Sequence, residues 1–140
     1  SFTREEIYNP ESRLYVDEAP LYPDVRTAVE MIHRSGGIAF LAHLYIYAHA
    51  PEFRRRLWEI VREFGLDGVE CAHSAFTAEQ ILDLNGFCRE HGLLRSGGSD
   101  YHGSRKPGVS LGTGRGQLDI TEEYLKEWPE KKRKGFEARG

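Results

Sequence analysis

The chain has 140 residues, a formal net charge of -3 and a 39% hydrophobic fraction, one domain's worth of globular sequence with no need of disulfide staples. No stretch reaches the roughly 20 apolar residues of a membrane-crossing helix, and a slight negative charge gives no bulk attraction to nucleic acid, leaving only local basic loops for that role. Ser1 to Glu6 lacks the basic and apolar regions of a signal peptide, and Cys71 and Cys88 are too few for a disulfide framework, so the expected compartment is the cytoplasm.

In chain order, residues 1–22 read as an irregular lead-in to a single domain, punctuated by Pro10 and Pro20. Leu14-Tyr15-Val16 is an edge strand or a cover over the core. Pro23 suits a first helical position, Val25, Ala28, Val29 and Ile32 follow at helical spacing, and Gly36-Gly37 stop the helix. Ile38 to Ala42 is a continuous apolar run ending at His43, the pattern of a strand buried on both faces. Pro51 opens a second helix, with Phe53, Leu57, Ile60, Val61 and Phe64 on one stripe and Gly65 as its cap. Val69 to Ala72 is a second strand. Thr77-Ala78-Glu79-Gln80 has the capping-box pattern, and the helix it starts runs to Gly92. Leu93 to Ser96 is a third strand. A glycine-rich loop spans Gly103 to Gly116, Thr121 caps a last helix reaching Trp128, and residues 129–140 form a charged tail.

Helix alternating with strand at this spacing predicts an α/β fold of parallel βαβαβ units with right-handed crossovers. Three parallel strands are expected near residues 38–43, 67–72 and 93–98, adjacent and in sequence order, with helices outside. The polar residues His43, Glu70 to His73 and Asp100-Tyr101-His102 then fall at the carboxyl ends of consecutive strands, the end where α/β folds place their ligands. An Asp-x-His triplet after a strand puts a carboxylate and an imidazole on one side of the backbone. Such donors suit Zn, Mn or Fe. Arg105, Lys106 and Arg115 lie in the adjoining loop, either to hold a phosphate by charge-assisted hydrogen bonds or simply to face solvent. Glu70 reads as a structural carboxylate, and His33, His49 and His91 as surface, cap or helix residues.

Three stretches together resemble the PHP superfamily, named for polymerase and histidinol phosphatase. They are Gly36 to His43, Gly65 to Ser74, and Ser96 to Gly103 continuing through Lys106-Pro107 to Leu111-Gly112-Thr113-Gly114-Arg115-Gly116. The similarity covers roughly residues 22–126 and is to the stand-alone phosphoesterases of that superfamily. It implies part of a distorted α/β barrel that hydrolyses phosphate esters with divalent metal ions (Mn, Zn, Fe or Mg). By position it makes His43, Asp100 and His102 metal ligands. It places His73 near the phosphate pocket, as a contact rather than a ligand; the residues alone leave a local cap equally open. Arg105 and Lys106 would join His73 on the substrate, a phosphorylated small molecule or a short oligonucleotide.

Two departures qualify the resemblance. Leu44 stands where the superfamily has a proline. The opening His-x-His motif has no counterpart in residues 1–35, so the chain reads as the carboxyl-terminal part of such a protein, with little activity alone. It would act as a homodimer or paired with an amino-terminal half. The alternative is a non-catalytic half-barrel that serves as a structural or ligand-binding module.

Overall fold

The computed structural model describes residues 9–13, 15–46 and 49–129. Helix α1 (Val25–Arg34) is capped by Asp24, whose carboxylate accepts the Thr27 N–H at 2.9 Å. Pro23 therefore precedes the cap rather than occupying the first helical turn. Tyr15 and Val16 belong to no strand, so the expected edge strand is not formed there, and Val16 is exposed rather than covering the core. Leu14 and the charged tail Lys131–Gly140 lie outside the described residues.

Strand β1 is only Phe40–Leu41, shorter than the apolar run. Its neighbours are used otherwise: the Ala39 N–H donates to the Asp67 carboxylate at 2.7 Å, and His43 turns the chain at φ 61°. The expected helix over 51–65 is two, α2 (Ala50–Arg55) and α3 (Leu57–Phe64), broken where Arg56 leaves helical geometry. The break lets Leu57 and Val61 bury in the core while α2 presents Arg54 to Asp83. Gly65, in the left-handed region at φ 68°, ends α3.

Strand β2 (Gly68–His73), helix α4 (Ala78–His91) and strand β3 (Leu94–Gly98) complete the pattern. The capping box is present in full: Thr77 N–H donates to Gln80 Oε1 and Gln80 N–H to Thr77 Oγ1. The strands pair in parallel in the order β1-β2-β3, as the alternation predicted.

Leu57, Val61, Val69, Cys71, Leu84, Phe87 and Cys88 form the core between the sheet and α3 and α4. Cys71 and Cys88 are free, fully buried, and 3.5 Å apart at sulfur. The other sheet face is covered by the chain's last described segment. Trp128 packs on Phe40 at 5.2 Å and donates its indole N–H to the Arg95 carbonyl, and a Cβ on Gly97 would meet Ile120 and Tyr124. This segment is a 3-10 helix, Glu122–Glu127, rather than the α-helix expected over 121–128. No helix among the described residues is long and apolar enough to cross a membrane.

One irregularity positions the site. Glu70 pairs with Ser96 but Ala72 pairs with Gly97, so Cys71 is the extra residue of a β-bulge. In a regular strand residues 70 and 73 would face opposite sides. The bulge shifts that alternation by one residue, and Glu70 and His73 both come to His43.

Candidate metal centre

His43 ends the β1 run at φ 61° and Asp100 follows β3 at φ 54°. They are the two non-glycine residues with positive φ among the described residues. Left-handed backbone at a residue with a Cβ costs of order 1–3 kcal/mol and persists where surrounding structure imposes it, commonly at functional sites. Here the imposing contacts are visible. The His43 N–H donates to Glu70 Oε2 at 2.9 Å, and the Ile46 N–H returns to the His43 carbonyl at 2.9 Å. Leu44, the departure from the superfamily's proline, is buried in the core.

The ligand atoms of His43, His73 and Asp100 lie within 4.8 Å of one another. His43 Nε2 is 3.9 Å from Glu70 Oε2, and its ring meets His73 edge-on at 5.2 Å. His73 is fully buried, and burial pushes its imidazole pKa below the ordinary value, so the ring is neutral near pH 7. Its Nδ1 accepts the Ala75 N–H at 3.0 Å. Because an amide N–H can only donate, the neutral ring must carry its hydrogen on Nε2. That Nε2 has no hydrogen-bond partner among the described residues and sits 3.4 Å from Asp100 Oδ2. Nothing else in the site leaves a buried polar atom so plainly directed at a ligand.

His102 behaves in the opposite way. Its Nδ1 faces the Asp100 carbonyl oxygen at 2.8 Å, which can only accept, so the hydrogen lies on Nδ1 and the Nε2 lone pair is left for a cation. The ring is at the rim, more than half exposed, with Nδ1 3.5 Å from Asp100 Oδ1, and it is not part of the three-residue cluster. Lys106 donates its ammonium to Asp100 Oδ2, and that hydrogen bond holds the Asp100 carboxyl below its usual range. Arg105 and Arg115 are exposed on the same loop. The loop is tied to the site by Gly112 N–H on Ser99 Oγ and by Gln117 Nε2 on the Ser74 carbonyl.

Imidazole and carboxylate donors following β1 and β3, from His43, Asp100 and His102, fit a divalent ion, and the buried His73 Nε2–H beside them suits an oxygen acceptor rather than the ion. Glu70, read as a structural carboxylate, is one: it is mostly buried and holds the His43 backbone N–H. What residue spacing missed is which side of the strand it faces. Its position three residues before His73 signals the opposite face unless the bulge is known.

Comparison with known proteins agrees with this chemistry. No family model matches the chain. A 5'-3' exoribonuclease of Haemophilus influenzae is 37% identical over 81 residues, 58% of this chain and 30% of that protein. The 5'-3' exoribonuclease Rnm of Escherichia coli is 32% identical over 93 residues, 66% of this chain and 31% of that protein. Among solved structures, one described as a metal-dependent phosphoesterase from Bifidobacterium adolescentis matches with a TM-score of 0.59 and 28% identity. The match covers 84% of this chain and 39% of that one. The chain is thus similar to phosphoester-cleaving enzymes. It spans about a third of the length of the curated relatives it matches.

Proposed function

We propose that this chain is the carboxyl-terminal part of a PHP-type metal-dependent phosphoesterase. His43, Asp100 and His102 would be ligands to a divalent ion (Mn, Zn, Fe or Mg). The observation that carries the reading is the convergence of His43 and Asp100, each held in a left-handed backbone, on one cluster with the buried His73. The ion, when bound, supplies Lewis acidity and a water acidified toward neutral pH. His73, with its hydrogen on Nε2, is placed to donate to an oxygen rather than to ligate, which supports the phosphate-contact role. Arg105 and Lys106 add positive charge to the same mouth. The exoribonuclease relatives favour a short oligonucleotide over a small phosphomonoester as substrate.

With no counterpart in residues 1–35 to the superfamily's opening His-x-His motif, the proposed ligand set is partial, and turnover by the chain alone is expected to fall below about 1 s⁻¹, the low end of ordinary enzymes. Strand β1 pairs only with β2 among the described residues. Beside it runs an apolar groove of about 680 Å³ lined by Val25, Val29, Ile32, Phe40, Phe53 and Phe64. A second copy or an amino-terminal half would pair there, since exposed strand edges invite pairing.

Calorimetric titration with MnCl₂ tests the proposal. The wild-type chain is expected to bind roughly one equivalent, and Asp100→Asn to weaken binding by about tenfold or more while far-UV circular dichroism stays unchanged. Hydrolysis of a 5'-phosphorylated oligoribonucleotide, measured with and without the metal, then reads any activity. Absence of Mn²⁺ binding, or equal binding by Asp100→Asn, would refute the metal centre.

A further inference from the structure

Lys106 occupies the place of a cation. Its ammonium is hydrogen-bonded to Asp100 Oδ2, the carboxylate oxygen that also faces His73 Nε2 at 3.4 Å. The two other groups flanking this carboxylate are imidazoles, His73 and His102. Lys106 is thus the one permanently charged partner of Asp100 among the described residues. A divalent ion and an ammonium on one carboxylate oxygen compete for its lone pairs and repel each other. The lysine is able to leave: its side chain is about a third exposed, and four rotatable bonds carry the ammonium. The loop around it is anchored by backbone, with Lys106 N–H on the Gly103 carbonyl at 3.2 Å, and not by the ammonium itself.

We propose that Lys106 is the built-in counter-cation of Asp100 and that a divalent metal binds by displacing it, so that metal uptake is a cation exchange. This rests on the metal-centre reading above and adds to it a residue that opposes binding. Lys106 in this role neutralises a carboxylate held at the mouth of the site and raises the metal concentration needed to occupy it.

The test is MnCl₂ titration of the full 140-residue chain as wild type, Lys106→Gln and Lys106→Arg at one pH and ionic strength. Lys106→Gln is expected to bind Mn²⁺ roughly threefold or more tightly than wild type, the scale of an ion pair at this exposure. Lys106→Arg, which keeps the charge, should stay close to wild type. Unchanged or weaker binding by Lys106→Gln overturns the exchange while leaving the metal centre standing. No binding by any of the three overturns both. A measurement on the unaltered chain covers the case of a misfolded variant. Mass-spectrometric mapping with an amine-acylating reagent should show Lys106 labelled faster once Mn²⁺ is added, and an unchanged rate overturns the exchange.

Discussion

Replacing His43 in turn by glycine and by alanine tests whether the site stores backbone strain. At φ 61° a Cβ is unfavourable, so glycine should be more stable than alanine there by about 1 kcal/mol or more. The imidazole is 41% exposed, and the burial it contributes is lost equally in both variants. Both also lose the edge contact with the His73 ring, which cancels in the comparison. The Glu70 bond to the residue 43 N–H survives in each because it is made by backbone. For a chain of this size the difference corresponds to about 3–5 °C in melting temperature. Glu59, exposed in α3, supplies the reference: there glycine should be the worse residue by about 1 kcal/mol. Urea denaturation of the four variants at constant m-value is the assay, and Mn²⁺ titration of both His43 variants tests the proposed ligand role separately. If alanine equals or exceeds glycine at position 43, the left-handed backbone is not imposed by the fold and the argument from strain fails.

Gly68→Ala and Gly86→Ala should move stability in opposite directions. A Cβ at Gly68 would lie 2.3 Å from the Leu94 carbonyl oxygen and 2.5 Å from the Phe40 ring, costing about 3 kcal/mol as backbone and core shift, whereas Gly86 in α4 has open space around it and should gain about 0.5–1 kcal/mol. Thermal melts decide, and a destabilised Gly86→Ala would contradict the placement. The Asp83 carboxylate, held below its usual range by the Arg54 hydrogen bond and then by Tyr45, contributes stability that is full above the unfolded carboxylate pKa and is lost as pH falls through the lower folded one. With both side chains about a third exposed, solvent screening leaves the pair at about 1 kcal/mol, so Asp83→Asn should cost about that at pH 6. The gap from wild type should close as pH falls below about 3.8; a constant gap would assign the loss to packing instead.

The sequence by itself determined the βαβαβ order, the parallel sheet in sequence order and those helix ends that carry a local cap, because these signals are local. The Thr77 capping box and the Gly65 and Gly92 stops act within a few residues. It also brought His43, His73 and Asp100 to neighbouring strand ends, since a parallel sheet puts every carboxyl end on one side. Residue spacing misplaced what depends on partners distant in the chain. The stripe from Phe53 to Phe64 reads as one helix, yet Arg56 breaks it as Arg54 reaches Asp83 and Leu57 reaches the core. Periodicity sets Glu70 and His73 on opposite faces; pairing with β3 adds the bulge at Cys71 and brings both to His43. Which imidazole nitrogen bears hydrogen is decided by single backbone groups, Ala75 N–H for His73 and the Asp100 carbonyl for His102. The left-handed backbone of His43 and Asp100 and the ammonium on Asp100 belong to the tertiary structure too. Each is unfavourable or unspecified locally and exists only because the rest of the fold holds it in place.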